Sequence, residues 1–246
     1  MVKLISVKAQ NVNEDASVKV EAVIFDWDGT LIDLDGRELY CINKALASVG
    51  SPIISVQRFV EGYYLYPYKE VGARNLIRKI LGEKETAEKA IETHGNEFWQ
   101  TSHLIKLQEK AFIILKALKS KGISLAVTTL RKRRMLVEQE IQYLQINRFV
   151  DVLVTREDIE FQPRTEPSLS FIEELRTTQF KKALTMLQKQ PSKTIIVGDS
   201  WWDIRAAKRV RAITAWVRTG FGAYNDFGGE QPDITLNNLE ELLKHI

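Results

Sequence analysis

The chain of 246 residues holds a single cysteine, Cys41, so no internal disulfide framework is available to it. Its three histidines, His94, His103 and His245, stand far apart and give none of the spacings that bind zinc. No stretch approaches the roughly 18 apolar residues that a membrane helix needs. The mostly apolar stretch before Lys8 is too short for the core of a signal peptide. Neither sign of charge dominates, with 35 basic and 32 acidic residues scattered along the chain for a formal charge of +3. That balance leaves no electrostatic footprint for nucleic acid or an anionic membrane surface. These absences lead to the expectation of a soluble cytoplasmic protein, monomer or homodimer, with neither nucleic acid nor membrane as partner.

What is present is a sufficient core, 44% of residues being apolar. Five short apolar runs end in polar residues: Val20–Asp26, Ile123–Thr129, Val150–Thr155, Lys193–Asp199 and Ala212–Val217. Because they do not alternate, they read as strands buried on both faces, as in a parallel sheet covered by helices. The helices are visible by period in "LIKLQEKAFIILKALKSKG", ending on Gly122, in "RRMLVEQEIQYLQI" and in "WDIRAAKRVR". The expected class is α/β, a Rossmann-like three-layer core around a central parallel sheet.

Between Asp33 and about Leu104 the pattern changes to four helix-like stretches with no buried-strand run among them. Some 70 residues is too long for an ordinary connection. The expectation is therefore a helical cap at 34–104 inserted into a core made of 1–33 and 105–246, placed to exclude water and choose substrates.

The chemistry gathers where the strands end. In such sheets ligands bind outside the carboxyl ends of the strands. Asp26 and Asp28 end the first run, Thr128 and Thr129 the second, and Asp199 the fourth, with Asp203 close behind. Asp26 and Asp28 repel one another and lose hydration if enclosed, so stability alone does not explain them. A cluster of oxygen ligands without histidine or cysteine suits a hard cation, above all Mg²⁺, which commonly shares its shell with a substrate phosphate.

Three motifs in this order, "VIFDWDGT", "LAVTT" and "GDSWWD", resemble those of the haloacid dehalogenase superfamily, over nearly the whole chain from Val20. The resemblance implies hydrolysis of a small phosphorylated metabolite through an aspartyl phosphate. Asp26 would be the nucleophile, and Asp28 would protonate the leaving alcohol and later activate water. Thr128 would hold the phosphoryl oxygens, with Thr129 a stand-in. Mg²⁺ would be held by Asp26, the Asp28 backbone carbonyl and Asp199, with Asp203 supporting. An Asp at position 28 argues for phosphate transfer, because a halide leaves without a proton. The helical insert is similar to the cap of the phosphoglycolate phosphatase and β-phosphoglucomutase branch, so a phosphomutase is the competing reading.

One motif departs from the family pattern. Where the family supplies a lysine in a Lys-Pro-x-Pro setting, this chain has "EDIEFQPRTEPSLSF". Arg164 occupies the place when one counts forward from the third strand, and it is the expected counterpart. Counting back from Asp199, Arg176 at 23 positions fits better than Arg164 at 35, while Lys181 and Lys182 read as helical surface. The missing lysine leaves a third reading open, a non-catalytic scaffold with the same fold.

Bland readings accompany other features. The run "RKRR" at Arg131–Arg134 is expected as a solvated face, and the aromatics of Gly62–Asn75 as cap core. Asp203 could also be the N-cap of the helix after it. Arg74 is the candidate for gripping a second anionic group of the substrate, and Trp201 and Trp202 are expected to pack between loop and cap.

Overall fold

The computed structural model describes residues 19–65, 72–160, 169–225 and 231–246. Six strands form one sheet: β1 (Ala22–Asp26), β4 (Ser124–Thr128), β5 (Val152–Val154), β6 (Thr194–Gly198), β7 (Ile213–Val217) and β8 (Ile234–Leu236). Their spatial order is β5-β4-β1-β6-β7-β8, and every neighbouring pair is parallel. Five coincide with the apolar runs of the sequence; β8 was not anticipated, since three residues leave too short a run to distinguish from a loop.

The lack of alternation has a direct cause. Val23 and Phe25 of β1 join one apolar cluster and Ala22 and Ile24 the other, and β4, β5 and β6 divide in the same way, so these central strands are apolar toward both sides. The first side is covered by α5 (Ala111–Ser120) and α6 (Arg134–Tyr143), through Ile114, Leu115, Leu118, Val137 and Ile141. The second is covered by α7 (Leu169–Leu187) and α8 (Trp201–Arg209), through Phe180, Ala183, Leu184, Ala206 and Ala207.

The chain builds outward from β1 through β4 to β5 on one side, then from β6 to β8 on the other. The carboxyl ends of β1, β4 and β6 thus flank the point where the winding direction reverses, the crevice where open α/β sheets bind ligands. Register makes this concrete: Asp26 pairs with Thr128, and Phe25 with Val197 one residue before Gly198 and two before Asp199.

The helix expected from Leu104 begins later. Lys106–Leu107 form a short strand, β3, antiparallel to β2 (Ile32–Asp33), and α5 starts only after Lys110, whose φ of 65° lies in the left-handed region. At its other end the helix stops as anticipated: Gly122, φ 75°, donates its N–H to the Lys119 carbonyl. Between β2 and β3 run α1 (Asp35–Ser48), α2 (Val56–Tyr63), α3 (Ala73–Leu81) and α4 (Lys84–Gln100). Ile42, Leu46, Phe59, Tyr63, Leu76, Ile77 and Ile91 give these helices an apolar cluster of their own. Of the aromatic stretch, Tyr63 and Tyr64 sit in that cluster, while Tyr66 and Tyr68 lie outside the described residues. The N-terminal segment before Lys19 lies outside the described residues.

Candidate active site

The three motifs converge. Asp26, at the end of β1, Asp199, just beyond β6, and Asp203, on the first turn of α8, each bring a carboxylate oxygen within 4.8 Å of the others. Asp199 is held by the Phe221 backbone N–H at 2.8 Å and by the Thr30 hydroxyl at 3.3 Å, and Thr30 also reaches Asp26 at 3.4 Å. Two glycines make room for it. A β-carbon on Gly29 (φ 80°) would stand 2.3 Å from Asp199 Oδ2, and one on Gly220 (φ 48°) 2.1 Å away, so both backbone shape and space demand glycine there.

Asp203 differs from its anticipated place. The N-cap of α8 is Ser200, and Asp203 is its capping-box partner three residues on, its Oδ2 accepting from the Ser200 N–H and hydroxyl. That leaves Oδ1 for Arg176, whose Nε donates to it at 2.6 Å. Arg176 Nη2 donates to Asp26 Oδ1 at 2.7 Å, and Nη1 to Gln179 at 3.1 Å. Gln179 in turn donates to the Thr129 carbonyl at 2.6 Å. Arg176 is therefore the cation that the described residues place against Asp26. Arg164, the expected counterpart of the family lysine, lies outside the described residues. Lys181 and Lys182 are exposed on α7, as expected.

Burial pushes the Asp26 carboxyl well above the usual carboxylate range; Arg176 opposes the rise, and the charges of Asp203, Asp199 and Asp28 add to it. Burial and then Asp203 push Asp199 the same way, against the Phe221 N–H and Thr30. Three carboxylates crowd around one guanidinium. An all-oxygen donor set with surplus negative charge fits a hard divalent cation.

The other predicted residues are close but turned elsewhere. Thr128 is fully buried, and its hydroxyl donates to the Phe25 carbonyl at 3.4 Å. The Asp28 side chain faces away from the carboxylate cluster and lies in a two-pronged contact with Arg131, Nε to Oδ2 at 2.9 Å and Nη2 to Oδ1. Thr129 also donates to Asp28 Oδ2, at 3.4 Å.

Arg131 corrects the reading of the basic run as a solvated face. α6 begins only at Arg134, so Arg131 belongs to the loop at the carboxyl end of β4 and is buried, while Lys132 and Arg133 remain outside. Behind it, Nη1 pairs with Glu140, a fully buried carboxylate that also accepts from Arg37 of α1 at 2.6 Å and from Trp27 Nε1 at 3.4 Å. The rings and guanidiniums stack as well: Arg37 lies 4.0 Å and Arg131 4.8 Å from the Phe98 ring centre.

A cavity of about 240 Å³ opens onto these groups, walled by Asp28, Asp199 and Arg131 on one side and Glu38, Tyr63, Tyr64 and Phe98 on the other. Arg74 does not line it. It lines a neighbouring cavity of about 560 Å³, and Glu38 and Phe98 border both spaces. Trp202 packs on Phe221, whose ring meets Tyr63 and Tyr64, while Trp201 is buried beside Arg205.

A family model for haloacid dehalogenase-like hydrolases matches residues 23–217. The chain belongs to this family. It is similar to a phosphoglycolate phosphatase of Aquifex aeolicus, 29% identical over 230 residues that cover 92% of this chain and 96% of the relative. It is also similar to the pyrophosphatase PpaX of Bacillus cereus, 26% identical over 234 residues, with 92% and 96% covered. In fold it matches the crystal structure of a subfamily IA hydrolase of the same superfamily from Geobacter sulfurreducens, TM-score 0.69 at 17% identity, over 95% of this chain and 99% of that one. The resemblance carried by the three motifs thus holds, and these relatives place the chain among the haloacid dehalogenase-like phosphatases. Thr30 stands at the end of the first motif, where no role was read for it, and outside the motifs lie Gln179, Arg131 and Glu140. Of these three only Arg131 had a legible signal, its position three residues past Thr128 at a strand end.

Proposed function

We propose that this haloacid dehalogenase-like phosphatase is a Mg²⁺-dependent phosphomonoester hydrolase that works through an aspartyl phosphate on Asp26. The observation that carries the reading is the Arg176 guanidinium bridging Asp26 and Asp203 beside Asp199. It supplies the positive charge whose absence in the sequence favoured a scaffold. Arginine replaces the point charge of a lysine with a fork able to hold both carboxylates in fixed relation.

In this mechanism Asp26 attacks phosphorus while the bond to the leaving oxygen breaks, and Asp28 gives that oxygen a proton. Water, losing a proton to Asp28, then attacks the aspartyl phosphate, releasing phosphate and restoring Asp26. Thr128 would turn its hydroxyl from the Phe25 carbonyl to a phosphoryl oxygen. Asp26, Asp199 and the Asp28 backbone carbonyl, backed by Asp203, would hold Mg²⁺, and the chemistry supplied there is Lewis-acid neutralisation of phosphoryl charge. The helical insert of 34–104 would serve as the cap that closes over the cavity.

Phosphate release from p-nitrophenyl phosphate, with and without Mg²⁺, tests the reading. Turnover should require the metal, vanish in Asp26→Asn and fall steeply in Arg176→Ala, with Arg164→Ala separating the two arginines. Turnover that persists in Asp26→Asn would sink the covalent mechanism. A need for a bisphosphorylated sugar, with little phosphate released, would turn the assignment to a mutase.

A further inference from the structure

Among the described residues lining the cavity, Arg131 is the one cationic side chain. It is fixed from behind by the fully buried Glu140 and flanked by Phe98, so it keeps a brace apart from Asp28. Its free edge, Nε and Nη2, forms a fork that now holds both oxygens of Asp28, a side chain 30% exposed. A guanidinium braced in this way is a receptor for any carboxylate or phosphate that can present two oxygens.

The opposite wall offers no such place. Glu38 uses one oxygen for Tyr63 OH at 3.3 Å and the other for His94 Nε2 at 2.7 Å, and an anion beside it meets a carboxylate. At about 240 Å³ the cavity lies below the ~300–1,000 Å³ of drug-sized pockets, which leaves space for a small leaving group only.

Resting on the phosphatase reading, we propose that Arg131 is a specificity-determining residue, and that the substrate carries a second anionic group, carboxylate or phosphate, beyond the scissile bond. That group takes the fork of Arg131 and displaces Asp28, which then swings toward the leaving oxygen. Arg131 keeps Glu140 throughout, so the exchange alters one edge of one guanidinium and leaves the buried bridge to Arg37 intact.

The full chain with Mg²⁺ is assayed on ethyl phosphate, 2-phosphoglycolate and pyrophosphate. At least one of the two acidic compounds should exceed ethyl phosphate in kcat/KM by about thirtyfold, the worth of a charge-assisted hydrogen-bond pair. The larger ratio identifies the anion. In Arg131→Lys, which keeps a charge for Glu140 but loses the fork, the ratio should fall to about threefold. Equal handling of all three compounds by the native protein, or an unchanged ratio in Arg131→Lys, overturns the inference and leaves the phosphatase reading standing. Binding of phosphonoacetate and methylenediphosphonate against ethylphosphonate to the native protein decides the matter without turnover. If neither acidic phosphonate binds tighter, the inference fails on its own. If no ester is hydrolysed but one of them does bind tighter, the phosphatase reading fails and the anion receptor remains.

Discussion

Two buried arginine and carboxylate assemblies stand side by side in this site, and their charges differ. Around Arg176, Asp26 and Asp203 share one guanidinium, and Asp199 adds a third carboxylate beside them. Around Glu140, two carboxylates, Glu140 and Asp28, face two guanidiniums, Arg37 and Arg131. The first is short of positive charge, and burial with mutual repulsion drives two of its carboxyls up in pKa. The second is balanced within itself. A surplus of like charge in a desolvated place suits a cation, whereas in the balanced set the buried Arg37–Glu140–Arg131 part is a structural joint and the Asp28 edge, 30% exposed, is the part able to exchange.

The largest effect that would test this contrast is on stability. Glu140→Ala leaves the buried Arg37 without its carboxylate and Arg131 with Asp28 alone, and should cost about 3–5 kcal/mol in urea unfolding. A loss below 1 kcal/mol would show that the joint is not closed. Next, Mg²⁺ at a hundred times its dissociation constant should stabilise the native chain by about 2.7 kcal/mol, seen as a raised Tm. The same addition should do little for Asp199→Asn.

In the metal-free chain Asp199→Asn itself should be stabilising, by about 1 kcal/mol, because it removes one of the crowded charges. The pH dependence has a definite sign. With folded pKa values raised, Asp26 and Asp199 contribute stability fully below the ordinary carboxyl pKa of about 4, and that contribution is lost as pH rises through the raised values. Metal-free protein should therefore lose stability from these two groups as pH rises above about 4, and Mg²⁺ should reduce the slope. The smallest effect belongs to an exposed pair with neither character: Arg78→Ala, breaking the half-exposed bridge to Glu88, should change stability by less than about 1 kcal/mol.

The sheet was legible because a strand covered on both sides is apolar on both sides, and that pattern survives in one dimension. The ends of β1, β4 and β6 announced Asp26, Thr128 and Asp199 for the same reason: a polar residue closing such a run has to face a crevice. The partners that arrive from other elements were harder to read. Arg176 comes from the middle of a 19-residue helix: counting back from Asp199 brings it into view, counting forward from the third strand favours Arg164, and no spacing rule ties a helix position to a strand end. Glu140 reads in the sequence as an ordinary polar residue of a helix; it is the fold that places it under Trp27 with arginines on two sides. Arg131 was misread because the start of α6 was set a residue or more too early, and a helix start decides whether an arginine faces water or a loop crevice.

The small ribbon of β2 and β3 has a consequence of a different kind. Ile32 pairs with Leu107 and Asp33 with Lys106, and the Gln108 N–H reaches back to the Leu31 carbonyl, so the strands entering and leaving the helical insert run as one stitched pair. The chain enters and leaves these helices at one place, and the buried Arg37–Glu140 pair ties α1 back to the core. The registers of the six-stranded sheet are set by its own strands, so a change of length among the helices need not alter them. Asp26, Thr128 and Asp199 take their places from those registers, so the sheet can hold them fixed while the helices beyond the ribbon vary.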